Sequence, residues 1–349
     1  MDKKAVIAVQ FHWIFIIIAG ALILLFFANI VIKQKDVSDI QISATVITDF
    51  DAILTGALVS TGTVNIVDMP RYDINFECDV YRIGQLRKET KDRVIFSTDL
   101  IKGGTLIAYG KDWSHPYRSS NFLYLTTPQV RYIIVDDNTY ADWINETMPD
   151  EINKDFVNAP YINGGSLQNL NDYRVRFIYF SEGQKTSLEA DSLAPFINMP
   201  NEAVSAIVIE PSAEAPKMLG KVKFYQKQGL TWYEVPGSEE AYITEEGLLG
   251  AIYSADHDMY TCAMQKAFKK LNIVTEIIYN RSIHLADLYG AGTTCNDVHT
   301  SAANWLDEVI TNSQEFNYNN ANQIRQSLGT NSLQSENKRA QLYSCVLVY

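Results

Sequence analysis

Two adjacent carboxylates are the first residues in this sequence whose types and spacing could support chemistry. Asp136 and Asp137 lie where the run Arg131–Asp136 ends, and this run has the composition of a fully buried strand. Adjacent acids at the end of a strand can hold Mg²⁺ through their oxygen atoms. An Asx turn at a solvated strand end uses the same residue types without a metal, and the sequence favours this second interpretation.

Cysteine and histidine residues in the C-terminal region form a second candidate metal site. Cys295 and His299 stand four residues apart, and His257 and Cys262 supply the same residue types earlier in the chain. Tetrahedral zinc needs four converging ligands, usually with a closely spaced pair at each end. The helical layout below puts His257 and Cys262 far from Cys295, so we expect disulfides, no metal and no cofactor.

Nucleophilic catalysis has little support in the sequence. It contains no Gly-x-Ser-x-Gly motif, and His115, His284 and His299 have no recognisable Ser or Cys partner. We therefore assign no catalytic residue and do not expect an enzyme. A membrane-tethered hydrolase or metal enzyme stays open as an alternative, and it would require Asp136, Asp137 or His299 to converge with other polar groups.

Three helices are predicted in the C-terminal region, and they position the cysteine and histidine candidates. They span Ala255 to about Tyr289, Asp297 to Phe316 and Ala321 to Tyr343, and their short links predict alternating directions. A straight first helix holds Cys262 about 50 Å from the turn that bears Cys295, beyond the reach of a disulfide. The alternating helices also put Cys345 at the same end as Cys295, so of the three possible connectivities our hypothesis is Cys295–Cys345 with Cys78–Cys262, and buried free thiols are the alternative.

The middle of the chain predicts two kinds of β-structure. Short runs between Thr63 and Pro128 indicate a β-rich region, with strands at 64–67, 74–81, 94–97, 105–109 and 122–125. Buried strands at 131–136, 175–180 and 204–209, with helices at 139–157 and 188–196 between them, indicate an α/β layer. A hairpin formed by 221–226 and 231–235 is expected at its edge, which makes the sheet mixed.

The N-terminal region predicts a membrane anchor. No Asp, Glu, Lys or Arg occurs from Ala5 to Ile32, and the 22 residues Phe11–Ile32 would form a helix of about 33 Å. This length matches a hydrocarbon core of about 30 Å. Apolar residues at three- and four-residue spacings from Asp36 to Ser60 predict an amphipathic helix that continues the anchor and packs against its own domain.

Several features favour a cytoplasmic N-terminus and a body outside the membrane. The head before the anchor is short and carries Lys3 and Lys4, whereas an even number of cysteines, four, indicates an oxidising compartment. The Asn-x-Ser/Thr sequons at Asn145 and Asn280 permit glycosylation there. We expect the lipid bilayer and other envelope or membrane proteins as partners, with further copies of this chain as an alternative.

Net charge excludes one class of partner. The chain of 349 residues has 41 acidic and 29 basic residues, a net charge of −12, and lacks a basic stripe. Because nucleic-acid binding draws on such a stripe for counterion release, we expect no nucleic acid.

Three resemblances accompany these patterns. MDKKAVIAVQF is similar to the leader of archaeal type IV pilin-like proteins, which implies cleavage between Lys4 and Ala5 and a helix that packs in a filament core. Val6 and Gln10 depart from that leader, which has Gln and an acid at these places. RYIIVDDN resembles the first strand of phosphoacceptor receiver domains, but the later strands end without the required Asp and Lys. The overall plan resembles uncharacterised single-pass archaeal membrane proteins.

Together these observations predict an α+β fold with a single N-terminal transmembrane helix, a β-rich membrane-proximal region, a mixed-sheet α/β layer and a C-terminal helical bundle. The expected divisions are 1–35, 36–129, 130–253 and 254–349. The expected function is a non-catalytic interaction or assembly role in the cell envelope, with a pilin-like filament subunit as an alternative.

Overall fold

The computed structural model describes residues 3–69, 72–163, 167 and 172–349. It is a mixed α+β structure in which the C-terminal region is helical. The described helices are α1 (Lys3–Val59), α2 (Ala141–Thr147), α3 (Ala159–Asn163), α4 (Glu182–Leu193), α5 (Thr244–Tyr253), α6 (His257–Tyr289), α7 (Thr294–Asn312), α8 (Tyr318–Ser327) and α9 (Leu333–Leu342). The described strands are β1 (Val64–Asp68), β2 (Ile74–Glu77), β3 (Val80–Ile83), β4 (Leu86–Glu89), β5 (Val94–Ser97), β6 (Leu100–Ile101), β7 (Thr105–Ser114), β8 (Arg118–Thr126), β9 (Val130–Val135), β10 (Lys154–Val157), β11 (Arg174–Tyr179), β12 (Val204–Pro211), β13 (Leu219–Gln228), β14 (Thr231–Glu234) and β15 (Glu240–Ile243).

Helix α1 is one unbroken helix of 57 residues, about 85 Å long. Its C-terminal third packs against the body through apolar side chains at three- and four-residue spacings. These buried residues are Val46, Ile47, Phe50, Leu54 and Ala57. Where the side chains of the predicted amphipathic helix are described, from Gln41 to Val59, its apolar face is part of the body's own core, as expected.

Two four-stranded sheets receive this face of α1. Their strand orders are β1-β7-β8-β5 and β4-β3-β2-β6. The prediction of one strand over 74–81 is wrong, because the chain turns at Cys78 and Asp79 and the two halves pair with each other as β2 and β3. Phe76 and Tyr81, one from each half, pack against Phe50 of α1.

A larger, mixed sheet has the order β10-β9-β11-β12-β13-β14, with β15 also paired to β13. Strands β10, β9, β11 and β12 are parallel, and β13 pairs antiparallel with β12 and β14. The predicted hairpin is therefore present at the edge of the sheet. The helix predicted over 139–157 is wrong: α2 ends at Thr147, and Lys154–Val157 pairs with β9 as the parallel strand β10.

The C-terminal helices follow the predicted order with changed ends. Asp256 caps the first long helix, α6, since its side chain accepts a hydrogen bond from the Met259 backbone. The third predicted helix is two helices, α8 and α9, separated by a turn at Gly329. One cluster of buried residues joins all three predicted body regions and includes Phe96, Ile134, Tyr253, Tyr260 and Leu306.

Candidate functional site

An exposed apolar segment of α1 is the first candidate site in the described chain. Every residue from Gly20 to Val31 is exposed, so apolar side chains surround the whole helix there. Leu22, Leu24 and Phe26 are 62, 73 and 62 % exposed. A segment of this kind in water leaves a large apolar surface uncovered, which marks a membrane or protein interaction site.

Among the described residues, one helical segment is long and apolar enough to cross a membrane. This segment is Gln41–Val59, which has a mean hydropathy of 1.5 and is one third buried. Gly20–Val31 is a shorter apolar helical stretch. Gln41–Val59 includes the residues that pack into the body, so its length and composition fit a core helix as well as a membrane-spanning helix. The side chains of residues 1–16, and with them part of the predicted span Phe11–Ile32 and the Lys4–Ala5 processing site, lie outside the described part of the chain.

A charged contact fixes α1 to the body. The Asp51 carboxylate accepts a hydrogen bond from Arg93 Nη1 at 2.5 Å and lies 2.9 Å from Lys88 Nζ. Tyr81 also donates its hydroxyl to Asp51 at 3.3 Å. Chiefly through the bond from Arg93, these contacts lower the pKa of Asp51 to about 2. Thr55, one turn further along α1, accepts a second bond from Arg93.

The predicted acidic pair serves the backbone. Asp137 Oδ1 accepts hydrogen bonds from the backbone N–H groups of Thr139, Tyr140 and Ala141, at 2.8 to 2.9 Å, and so stabilises the start of α2. Burial opposes ionisation of Asp137, but these bonds and one from the Thr139 hydroxyl lower its pKa. Asp136 Oδ1 accepts from the Asn138 backbone, an Asx turn.

The same pair lies at the point where the strand order of the large sheet reverses. Strand β9 has β10 on one side and β11 on the other, and open α/β sheets bind ligands outside the carboxyl ends of such strands. Here the Gln184 side chain bridges the gap: Nε2 donates to the Asp136 carbonyl and Oε1 accepts from the Phe180 backbone. The crevice is therefore closed by a glutamine, and Ser181 serves as the cap of α4.

The four cysteines lie in two pairs at disulfide distance. Cys78 and Cys262 have Cα atoms 6.0 Å apart, and Cys295 and Cys345 have Cα atoms 5.5 Å apart. This is the pairing that the helical layout predicts. Among the described residues, one set of three acidic, Cys or His side chains lies close enough together to hold a metal ion: Cys78, Asp79 and Cys262. Two of these three residues share a disulfide.

The two histidines considered as metal ligands make other contacts in the structure. His299 is completely buried and stacks on Tyr289 with ring centroids 5.7 Å apart. Burial lowers the pKa of His299, which keeps the imidazole neutral. His257 Nε2 lies 3.2 Å from Asp258 at the start of α6. The arrangement therefore favours packing roles for both side chains.

The two sequons differ in exposure. Asn280 is exposed on α6, whereas Asn145 is half-buried on the short helix α2. The Asn145 backbone carbonyl accepts a hydrogen bond from Lys154. The hydroxyl-bearing residue of the second sequon, Ser282, is completely buried. A glycan at Asn280 would have to be added before α6 packs.

A buried arginine is a structural centre that the sequence analysis did not identify. Arg176 on β11 donates to the backbone carbonyls of Ser254 and Ala255, in the turn between α5 and α6. Its guanidinium lies over the Phe224 ring at 5.7 Å, and burial lowers the pKa of Arg176 to about 10. Only the alternation of arginine with apolar residues in this strand hints at it, and a solvated edge would give the same pattern.

Comparison with models of protein families, with curated proteins and with solved structures finds no match to this chain.

Proposed function

We propose that this is a single-pass membrane protein, with a cytoplasmic N-terminus and an extracytoplasmic body that has a non-catalytic role in interaction or envelope assembly. The observation that carries this proposal is the exposure of apolar side chains on all sides of α1 from Gly20 to Val31. Fully burying one large apolar side chain is worth about 1.5–3 kcal/mol, so hydrocarbon would stabilise this segment strongly.

The cysteines support the proposal that the body lies outside the cytoplasm. All four lie in pairs at disulfide distance, and disulfides persist outside the cytosol.

The contacts of the candidate site residues support a non-catalytic role, because these side chains already bind or stack on other groups of the protein. Asp137 caps a helix, the gap beside Asp136 is closed by Gln184, and His299 is stacked inside the helical region.

Fractionation and labelling of the full-length protein in cells test this proposal. We expect the chain to stay in the membrane during alkaline carbonate extraction, and an external protease to digest the body of intact cells. We expect a thiol reagent to label the cysteines only after reduction. Recovery in the soluble fraction would contradict the anchor, and four thiols that label without reduction would contradict the compartment.

A pilin-like filament subunit is the second candidate. One observation favours it: α1 runs without a break from the exposed apolar segment into the core of the body, so copies could associate through the first part while the bodies remain outside. Intact mass spectrometry distinguishes the two. A mature chain that starts at Ala5 would support the filament subunit, whereas a chain that retains Met1 to Lys4 would support a plain anchor.

A further inference from the structure

A polar cleft lies where α1 ends against β8 and α6, and its volume is about 400 Å³. Three basic side chains line it, from Arg93, Arg118 and Lys270, together with the polar run Ser119, Ser120 and Asn121. None of the described residues that line it is acidic, although acidic residues outnumber basic ones in the chain by 41 to 29. We infer that this cleft binds a phosphate or sulfate group.

Each basic side chain of the cleft has a polar neighbour that orients it. Arg93 donates to Asp51 and to the Thr55 hydroxyl, both on α1. Lys270 Nζ lies 3.3 Å from an Asp92 carboxylate oxygen. Such fixed cations lose less conformational entropy when they bind a ligand than free surface lysines do.

Arg118 is held by two oxygen atoms on one side of its guanidinium. Its Nε and Nη2 donate to Asn121 Oδ1 at 3.0 and 2.7 Å, and Nη2 lies 2.9 Å from Asp112. Asn121 is fixed in turn, because its Nδ2 donates to the Leu58 carbonyl at the end of α1. The other edge of the guanidinium, with Nη1, remains for a ligand.

Donor groups remain after these contacts. A guanidinium has about five N–H groups and an ammonium about three. Arg93 uses one group on Asp51 and one on Thr55, and Lys270 uses one on Asp92. The remaining N–H groups match a tetrahedral oxyanion, for which arginine supplies paired and lysine single contacts.

The local charge balance also favours an anion. The three cations that line the cleft pair with three carboxylates, those of Asp51, Asp92 and Asp112, and Lys88, which lies beside Asp51 outside the lining, adds one further positive charge. The carbonyl end of α1 opposes an anion through the negative end of the helix dipole. Because Asn121 occupies the Leu58 carbonyl, part of this opposition is already removed.

The size of the cleft narrows the ligand class. Sites for small organic ligands have volumes of roughly 300–1,000 Å³, whereas a bare ion fills only a small part of such a space. The serine hydroxyl of Ser119 beside the cations suits the hydroxyls of a sugar. A phosphorylated or sulfated monosaccharide, free or at the end of a glycan, therefore fits better than the inorganic ion.

Titration calorimetry on the full-length protein in detergent tests the inference, with glucose 6-phosphate, glucose 6-sulfate, inorganic phosphate and sulfate as probes at matched ionic strength. We expect saturable binding of the sugar esters. We expect the double substitution Arg118→Gln, Lys270→Gln to raise the Kd at least about tenfold. The control Arg82→Gln, Arg87→Gln removes the same charge from an exposed strand pair and keeps the lining residues, so it should change the Kd less than about threefold.

Three results would overturn the inference: no saturable binding of any probe, an equal loss in the control variant, or unchanged binding in the double variant. Circular dichroism of both variants distinguishes lost binding from lost folding. A single substitution, Ser119→Ala, gives an independent reading because it removes no charge and Ser119 is the more exposed of the two serines in the lining. We expect it to weaken the sugar esters and to leave inorganic phosphate unchanged, and equal affinities for ester and ion would assign the cleft to the free ion.

Discussion

Asp51 connects the longest helix of the molecule to its β-sheets. Its carboxylate receives Arg93 and Tyr81 from the sheet side and lies next to Lys88. Arg93 stands 42 residues away in the sequence, so the contact forms only when α1 packs on the sheets. Hydrogen bonds to a charged group are worth about 1.5–3 kcal/mol each when partly buried.

We expect Asp51→Asn to lower the free energy of unfolding by about 1–3 kcal/mol, because it removes the charge that Arg93 and Lys88 share. Chemical denaturation followed by circular dichroism measures this change. Asp49→Asn is the matched control: it lies on the exposed side of the same helix turn and should change stability by less than about 0.5 kcal/mol. Equal effects from both substitutions would mean that the ion pair contributes nothing specific.

The stability of the α1 contact should also depend on acid pH. The pKa of Asp51 falls from 3.8 to about 2 on folding, so the unfolded chain binds more protons between these values. The stabilisation is therefore fully present above about pH 4 and is lost as the pH falls toward 2. Denaturation midpoints measured from pH 5 to pH 2 check this, and the Asp51→Asn protein should lose less stability over that interval than the wild type.

Arg176 holds the turn between α5 and α6 to the large sheet. We expect Arg176→Met to cost about 2–4 kcal/mol, because methionine fills the volume but leaves the Ser254 and Ala255 carbonyls without their donor. Thermal unfolding measures the loss. Arg82→Met on the exposed face of β3 is the control, and a similar loss there would contradict the argument.

At the scale of elements, two glycines near the end of α1 distinguish the effect of close packing on stability from the effect of helix propensity. A Cβ atom at Gly110 on β7 would lie 2.3 Å from the Ala57 carbonyl oxygen, whereas a Cβ at Gly56 in the last turns of α1 would meet nothing within 4 Å. We expect Gly110→Ala to destabilise the protein by about 2 kcal/mol or more, and Gly56→Ala to stabilise it by about 0.5–1 kcal/mol. Parallel denaturant titrations compare the two, and a neutral Gly110→Ala would show that α1 is free to shift.

The two disulfides close loops of different size. Cys78 and Cys262 are 184 residues apart and tie the β2–β3 turn to α6, whereas Cys295 and Cys345 are 50 residues apart and tie the C-terminal tail to α7. By loop-closure entropy the first is worth about 5 and the second about 4 kcal/mol. We expect the double Cys→Ser variant of the first pair to lose more stability, and that of the second to increase amide exchange mainly after Leu342. The reverse order of stabilities would contradict the loop-length argument.

Elements with a clear local sequence pattern could be predicted, whereas a strand that forms only because its neighbour offers an edge could not. The apolar spacing from Asp36 onward and the Lys-Gln-Gly-Leu turn gave α1 and the β13–β14 hairpin. Lys154–Val157 has no strand pattern of its own and becomes β10 only because β9 offers a parallel edge. The acidic pair Asp136–Asp137 was identified by residue type, but its use as a cap depends on the start of α2 immediately after it.

At the scale of the whole molecule, α1 divides into a part that the body needs and a part that it does not. The last third of the helix contributes Val46, Phe50 and Leu54 to a core shared with two sheets, whereas Gly20–Val31 is exposed on every side. Large apolar side chains lost from a core cost about 2–5 kcal/mol each. The body therefore requires the end of a helix whose beginning lies outside it.

This division predicts two different outcomes for two truncations. We expect a chain that starts at Gln41 to be monomeric and water-soluble and to keep the Tm of the full-length body, because it retains Val46 to Ala57 and loses the exposed segment. A chain that starts at Ser60 should fail to fold, because at least five core side chains and the Asp51 contact are missing, a loss of more than about 10 kcal/mol against a typical stability of 5–15. Size-exclusion chromatography and calorimetry measure both. A folded body that starts at Ser60 would mean that α1 is only an anchor, and an aggregated chain that starts at Gln41 would mean that the body itself exposes a further apolar surface.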